Sequence, residues 1–505
     1  MILQCTNCNE VIEIDRAAYR VCPRCGYSMK MVREESMTGL QWASLGFFYQ
    51  DHWDAKSVEC FEKAVALGDT SCYLALGYAL RFGQGVERDV ERGVQFYLKA
   101  AQLGQAAAQH NYGYCLEKGI GVEKNPEEAV RWYEKAAEQN YGRSLGNLSN
   151  CYTNGIGVEK DYQKAMDYAL RGMEQGNAYS YHRMGWLYLE GLGVERNLEK
   201  AFYYWEKGAE LGSDWAQYNL ACCYHGVTKG WKEQGLPMDF EKAVYWYEKA
   251  AEQGNEDALW NLSCCHRDGE GTSVDYSKAQ ECYEKLISKE NKQGYYGMGR
   301  LYENGWGVEK DLEKALSLYE EAARRGYAGA MISAARMFEA GEGTPADYEN
   351  AIYWYERGVE QGDEDCMSSL ANWCLHGTHM KQDTARGVLL ARKAADLGDS
   401  YGMCLLGESY EQGLGVEKDI ETALLWYKKA IERDCEEAMY HMALLCLEGV
   451  FVERDEAQAR SYINKAWEII SDPEYGYYEQ EAGLKDHLEE LHKRLEEENS
   501  SDRTE

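Results

Sequence analysis

The chain has 505 residues and a formal net charge of −32, from 54 basic and 86 acidic side chains. Such an acidic chain argues against nonspecific nucleic-acid binding along its main body, because phosphate affinity requires clustered Lys and Arg. The charge either serves solubility or favours a basic partner. No apolar run approaches the roughly 18 residues of a membrane-spanning helix, and no secretory signal is visible at the start. We therefore expect a cytoplasmic protein that does not cross a membrane.

The first 30 residues predict a zinc ribbon. Two C-x-x-C pairs, Cys5 with Cys8 and Cys22 with Cys25, are separated by thirteen residues. Each pair suits a tight knuckle that aims two thiolates at one ion, and two knuckles complete a tetrahedral site. Because four thiolates leave no open position for water, we expect one structural Zn and no catalysis at it. The alternatives are a redox pair, an iron site or no bound metal.

The rest of this terminal module is small and locally basic. Residues 10–14 alternate in polarity like a strand, and 31–37 read as a linker or a first helix. Arg16, Arg20 and Arg24 add positive charge near the cysteines. In the main alternative function, this ribbon therefore contacts nucleic acid or the ribosome, and the rest of the chain serves as its platform.

Residues 38–470 are built from a repeat with a period of 36 residues. Each repeat reads as two amphipathic helices, and neither helix can bury its apolar face alone. A shorter unit begins near Thr38, and one unit, which begins at Ser213, holds six extra residues. The full units begin at Asp69, Gln105, Tyr141, Asn177, Ser213, Asn255, Asn291, Tyr327, Asp363, Asp399 and Cys435. About twelve stacked repeats predict an α-solenoid.

Local signals mark the helix ends within a repeat. A glycine follows each first helix, where the chain must turn, and we expect φ > 0 there. The test set is Gly119, Gly155, Gly191, Gly305 and Gly413. In the repeat that begins at Gln105, Asn125 suits the N-cap of the second helix, Pro126 suits its first position and Glu128 completes a capping-box pattern.

The repeat resembles that of a known family. Its motif appears as Met184-Gly-Trp-Leu-Tyr188 followed by Gly191-Leu-Gly-Val194, and again as Leu406-Gly407 followed by Gly413-Leu-Gly-Val-Glu-Lys-Asp419. These residues resemble the Sel1-like repeat, a relative of the tetratricopeptide repeat with longer loops. The resemblance covers about residues 38–470. It implies an all-α, right-handed superhelical α-solenoid of about twelve helix-turn-helix repeats that serves as a protein-binding scaffold.

The recurring apolar positions predict the core of the solenoid. A leucine recurs on the first helix, as in Leu76, Leu148 and Leu406, and a small residue follows it so that the helices can approach closely. Cys115, Cys151, Cys223 and Cys265 share another first-helix position. We interpret these four as small buried hydrophobes. A metal cluster at the two Cys-Cys pairs is the alternative.

A band of asparagine and aromatic residues is the candidate partner-binding face. One Asn position recurs just before the Leu-Gly step, and in related tetratricopeptide domains an Asn there can bond a peptide backbone. Rigid aromatic residues on the same helices are favoured at interfaces. The candidates are Asn111, Asn147, Asn219, Asn261, Tyr114, Trp186, Trp215, Tyr218 and Trp260. We place a peptide or extended protein segment on the concave side of the repeats from Asp69 to Gly326; the alternative is packing between repeats.

The remaining features concern an insertion and the C-terminal end. The inserted loop carries Trp231 between two lysines, which suggests either an exposed contact point or a tolerated insertion. Leu484, Leu488, Leu491 and Leu495 form one stripe, so residues 471–499 predict a capping helix, with coiled-coil pairing as the alternative. Residues 500–505 are expected to be disordered.

Catalysis is not expected from this sequence. The Gly-x-Gly steps recur in most repeats and lack the strand-glycine-helix context of a phosphate-binding loop. No Ser, Cys or Glu lies in a recognisable nucleophile or acid–base motif, and the ten histidines are scattered. We therefore disfavour a hydrolase and expect a non-enzymatic scaffold.

Overall fold

A computed structural model describes residues 2–5, 11–13, 29–49, 55–449, 452–471 and 484–493. The chain divides into two compact units, which we call unit 1 (Met1–Ala258) and unit 2 (Leu259–Glu505). Among the described residues, none of the helices is both long enough and apolar enough to cross a membrane.

Unit 1 opens with three short strands. The strands are β1 (Ile2–Cys5), β2 (Val11–Glu13) and β3 (Met29–Val32), and they form an antiparallel sheet in the order β2-β1-β3. Strand β2 falls where the alternating pattern predicted a strand, and β3 runs two residues into the predicted linker. Cys8, Cys22 and Cys25 lie outside the described residues, so the zinc site stays a prediction.

The helices of unit 1 alternate between the first and the second helix of each repeat. They follow a short 3₁₀ turn at Glu34–Ser36. Their bounds are α1 Gly39–Tyr49, α2 Ala55–Ala66, α3 Tyr73–Phe82, α4 Val90–Gln102, α5 Ala106–Lys118, α6 Pro126–Glu138, α7 Gly142–Asn154, α8 Tyr162–Glu174, α9 Ala178–Glu190, α10 Leu198–Glu210, α11 Asp214–His225 and α12 Phe240–Glu252. Odd-numbered helices are the first helices.

The same alternation continues in unit 2, which begins within α13. The bounds are α13 Glu256–Asp268, α14 Tyr276–Ser288, α15 Lys292–Asn304, α16 Leu312–Arg324, α17 Ala328–Ala340, α18 Tyr348–Gln361, α19 Glu364–His376, α20 Thr384–Leu397, α21 Ser400–Gln412, α22 Ile420–Ile431, α23 Glu436–Glu448 and α24 Glu456–Ile470. One more helix, α25, covers 484–493. Each unit is therefore a solenoid of helical hairpins.

The predicted glycine turns are confirmed. Gly119, Gly155, Gly191, Gly305 and Gly413 have φ of 72°, 74°, 68°, 69° and 79°. Each lies in the left-handed region, because the chain leaves the first helix there without a side chain to clash.

The predicted cap of α6, the second helix of the repeat that begins at Gln105, is confirmed in part. Asn125 Oδ1 accepts a hydrogen bond from the Glu128 backbone N–H at 3.0 Å, and Pro126 opens α6. The prediction of a capping box is wrong in its second hydrogen bond, from the Asn125 backbone N–H to the Glu128 side chain. That N–H donates to the Leu116 carbonyl instead. The Glu128 carboxylate accepts from Trp132 Nε1 at 3.2 Å.

Close contact between a glycine and a ring holds the two helices of a repeat together. A Cβ added at Gly77 would lie 2.7 Å from the Tyr97 ring, and one at Gly407 would lie 2.6 Å from the Tyr427 ring. Both tyrosines are fully buried. Because these distances are shorter than van der Waals contact, a larger residue at either glycine would force the helices apart.

The predicted core positions are confirmed. The first-helix leucines Leu76, Leu148 and Leu406 are fully buried, and so are the cysteines at the shared position. The buried members of that position are Cys115, Cys151, Cys223 and Cys265. They behave as small apolar residues of the core, as predicted.

The prediction of an exposed Trp231 is wrong. Its side chain is only 3% exposed, and its ring lies 5.5 Å from that of Phe202. Its Nε1 donates a hydrogen bond to the Pro237 carbonyl at 3.1 Å. The inserted loop therefore folds back over this indole, which joins the buried cluster formed by α9, α10 and α11.

Three leucines of the stripe near the C-terminal end are buried, and Leu495 lies outside the described residues. Leu484, Leu488 and Leu491 of α25 share a cluster with Met439 of α23 and Ile463 of α24. These contacts cover the apolar side of the last helical hairpin in unit 2.

Candidate binding cavity in unit 1

One row of equivalent positions crosses three successive first helices in unit 1. Asn147 of α7, Arg183 of α9 and Asn219 of α11 are each 36 residues apart. Helix α9 contacts both α7 and α11. The position that holds Asn in neighbouring repeats is therefore occupied by Arg183 in this one.

A cavity of about 550 Å³ is lined by two members of this row, Arg183 and Asn219. Its walls are mostly aromatic and polar side chains of α9 and α11, with the inserted loop at one side. The lining includes Tyr179, His182, Arg183, Trp186, Trp215, Tyr218, Asn219, Cys222 and Lys229. None of its lining residues is Asp or Glu, although the chain as a whole carries a net charge of −32.

The polar side chains of one wall contact one another through His182. Asn219 Nδ2 lies 3.1 Å from His182 Nδ1, so the amide donates and the ring nitrogen accepts. The His182 ring also stacks on Tyr179, with centroids 5.4 Å apart. Burial lowers the pKa of His182 to about 3, so the imidazole is neutral near pH 7. This wall therefore carries no histidine charge near pH 7.

Arg183 provides the buried positive charge of the cavity. Its side chain is 6% exposed, and its Nε and Nη2 atoms have no hydrogen-bond partner. Burial lowers the pKa of Arg183, but a guanidinium keeps its proton in proteins. Glu117, which lies near Tyr179, is already engaged by Lys118 at 2.6 Å and by the Tyr133 hydroxyl at 2.9 Å.

Four of the predicted partner-binding residues meet in this cavity. Trp186 belongs to α9, whereas Trp215, Tyr218 and Asn219 belong to α11. Trp215 is 42% exposed, which leaves much of its indole free for a partner. The other three are half-buried. Whether these residues bind a partner or pack between repeats stays a prediction.

The other predicted residues lie elsewhere. Asn111, Asn147 and Tyr114 are half-buried in earlier repeats of unit 1, where the Arg81 guanidinium lies 5.5 Å from the Tyr114 ring. Asn261 and Trp260 belong to unit 2 and are half-buried there. The Trp260 ring lies 6.0 Å from that of Tyr283.

Sequence reasoning missed the two central residues, His182 and Arg183. The signal was present in the repeat register, since Arg183 interrupts a row of asparagines at a constant spacing. A departure from the repeat consensus at an otherwise regular position is therefore a signal by which such a residue can be found from the sequence.

Comparison with known proteins identifies the repeats. The Sel1 repeat model matches twelve times between residues 50 and 467. The matched segments are 50–69, 70–105, 106–141, 143–177, 178–213, 216–255, 256–291, 292–327, 328–363, 365–399, 400–435 and 436–467. The predicted number of about twelve repeats is confirmed. A search of curated proteins finds no match.

Two examples stand for the solved structures that are similar to this chain. One is c5321, a protective antigen of uropathogenic Escherichia coli with an SLR fold, at 26% identity and a TM-score of 0.55. The match covers 86% of this chain and 90% of that one. The other is a Sel1 repeat protein from Oxalobacter formigenes, at 34% identity and a TM-score of 0.41, which covers 48% of this chain and 94% of that one. The twelve repeat matches, together with the helical hairpins of both units, show that this chain belongs to the Sel1 repeat family.

Proposed function

We propose that the chain is a non-enzymatic interaction scaffold that binds a peptide or an extended protein segment. The binding face consists of the first helices of unit 1, on the side expected to be concave, and its centre is the cavity between α9 and α11. Repeat solenoids offer such extended surfaces to partners, and the family membership supports this class of function.

The observation that carries the proposal is the combination of a cavity with rigid, partly exposed aromatic walls. Trp215 is 42% exposed and lies beside Tyr218, with ring centroids 6.2 Å apart. Aromatic side chains add apolar contact at low entropic cost. Asn219, which is held by His182, adds an amide within reach of a peptide backbone. A segment that lies across α9 and α11 meets both kinds of contact.

The test uses the immobilised full chain and a mixture of random octapeptides, with retained peptides measured by mass spectrometry. We expect Trp215→Ala to reduce retention several-fold. Tyr203→Ala is the matched control, because Tyr203 is 53% exposed but lies on the second helix α10. Equal retention by the two variants, or no retention by the unmodified chain, would contradict the proposed function.

We also propose that Cys5, Cys8, Cys22 and Cys25 hold one structural Zn. The donor set fits, since four thiolates make a closed tetrahedral site. The backbone of the sheet supports this arrangement: Cys5 ends β1 and pairs with Met29, which follows Cys25 by only four residues. Zinc bound there would tie the ends of the two knuckles to one sheet.

A further inference from the structure

The cavity of unit 1 contains a buried cation without a counter-ion. Arg183 is 6% exposed, and no carboxylate lies within ion-pair distance of it among the described residues. A buried charge is costly unless it is paired and hydrogen-bonded. An arginine at this position, where neighbouring repeats carry Asn147 and Asn219, therefore calls for an anion that the described residues do not supply.

The unpaired atoms form one edge of the guanidinium. Nε and Nη2 are the two atoms of Arg183 without a hydrogen-bond partner. Their N–H groups point the same way, in the fork that binds both oxygens of a carboxylate. Both atoms are shielded from solvent, so binding requires this edge to turn into the adjoining cavity.

We propose that the cavity recognises a carboxylate of the bound peptide, with Arg183 as its counter-ion. This inference rests on the proposed scaffold function and names the chemistry of the partner at that same cavity. The charge pattern agrees with it, since no acidic side chain lines the cavity and Lys229 adds a second cation at its exposed rim. An acidic group of a partner thus finds a locally positive place here, on a chain of net charge −32.

A carboxylate fits better than a phosphate monoester. The one open edge of the Arg183 guanidinium matches the two oxygens of a carboxylate, whereas the three oxygens of a phosphate monoester require more donors close by. His182 does not add a charge, because its ring is buried and neutral and its Nδ1 is taken by Asn219. The aromatic walls of Tyr179, Trp186 and Trp215 suit the apolar part of the residue that bears the carboxylate.

The carboxylate can be the C-terminus of a peptide or the side chain of Asp or Glu. Three octapeptide mixtures distinguish these two sources. The first has a free C-terminal carboxylate and no Asp or Glu; the second is amidated and contains Asp and Glu; the third is amidated and contains neither. Each mixture is passed over the immobilised full chain at equal ionic strength. We expect the first or the second to be retained at least about tenfold better than the third, as for a buried charged contact. Stronger retention of the first mixture identifies the C-terminal carboxylate as the source, and stronger retention of the second identifies the Asp or Glu side chain.

The decisive variant is Arg183→Met, which keeps an unbranched side chain about as long as the aliphatic stem of arginine and removes the charged guanidinium. We expect it to abolish the preference for carboxylate-bearing peptides, while Arg131→Met, at an exposed arginine of α6, retains it. Thermal unfolding provides a second readout. A residue kept for binding leaves the unfolding midpoint of Arg183→Met unchanged or higher, whereas a residue kept for structure lowers it.

The outcomes distinguish the two proposals. Equal retention of all three mixtures by the unmodified chain overturns the carboxylate inference and leaves the scaffold function standing. No retention of any mixture overturns both. A carboxylate preference that persists in Arg183→Met, or a lowered unfolding midpoint in that variant, assigns Arg183 to another role and also overturns the inference.

Discussion

At the scale of the residue, buried tyrosines of the second helices reach back to the first helices for a hydrogen-bond acceptor. The Tyr319 hydroxyl donates to Glu303 at 2.6 Å, and the acceptor lies 16 residues earlier in the chain. The same spacing joins Tyr133 to Glu117, Tyr355 to Glu339 and Tyr427 to Glu411. Burial and the Glu303 carboxylate raise the pKa of Tyr319, so its hydroxyl remains a donor. At Tyr97 the acceptor is missing, and the hydroxyl is buried without a hydrogen-bond partner.

The first prediction compares these two tyrosines. Tyr319→Phe keeps the ring and removes a hydrogen bond to a charged acceptor, so we expect a loss of about 1.5–3 kcal/mol in the free energy of unfolding. Tyr97→Phe is the matched control and should be neutral or stabilising, because it removes a hydroxyl that has no partner. Urea unfolding measures both. Equal losses in the two variants would show that the Tyr319 hydrogen bond has no special value.

The second prediction concerns acid stability. His110 is buried, and its Nδ1 lies 3.1 Å from Ser144 Oγ. Burial, with Arg143 nearby, lowers the pKa of His110 to about 4, whereas an unfolded histidine titrates near pH 6.5. The unfolded state therefore binds a proton first as the pH falls. Stability from this group is complete above about pH 6.5 and is lost towards pH 4, at up to about 1.4 kcal/mol per pH unit.

His110→Asn tests that expectation. The free energy of unfolding of the unmodified chain should fall more than that of the variant between pH 7.5 and pH 5, by roughly 1–2 kcal/mol. The measurement at pH 7.5 controls for the loss of packing that the substitution itself causes. Parallel pH profiles for the two proteins would mean that His110 is not the group responsible.

At the scale of the element, the first helices from α3 to α23 each end at a glycine in the left-handed region, which glycine tolerates best. Gly155 has φ of 74°, and an added Cβ would lie 3.2 Å from Lys160 Cγ. We expect Gly155→Val to destabilise the chain by about 1 kcal/mol or more, because a β-branched residue is strained in the left-handed region. Gly155→Asn is the matched control, since asparagine tolerates this conformation better. A valine variant as stable as the asparagine variant would contradict the argument from φ.

At the scale of the whole molecule, the zinc prediction separates the N-terminal module from the repeats. Metal analysis of the full chain should give about one Zn, and Cys22→Ser should remove it while far-UV helicity survives. The control is Cys264→Ser, which changes a half-buried cysteine of the repeats and should leave the zinc in place. A chain that keeps its zinc after loss of Cys22 would show that the metal lies elsewhere.

The sequence by itself determined the features that depend on local chemistry and on the period. The glycine turns follow from backbone sterics at single positions. Asn125 caps α6 through a hydrogen bond to the backbone N–H of Glu128, only three residues away. The buried leucines and cysteines follow from a fixed spacing of 36 residues, because equivalent positions in stacked repeats meet equivalent surroundings.

Only the tertiary structure decided what happens where the repeat is broken. Trp231 looked exposed beside two lysines, yet the inserted loop buries it against Phe202. The cavity likewise depends on side chains from helices a full repeat apart. The sequence places Arg183 in the row of asparagines. That its Nε and Nη2 atoms have no partner is visible only in the structure in which α9 and α11 pack together. The physical reason is that pairing and burial are set by which distant groups meet, and local spacing does not contain that information.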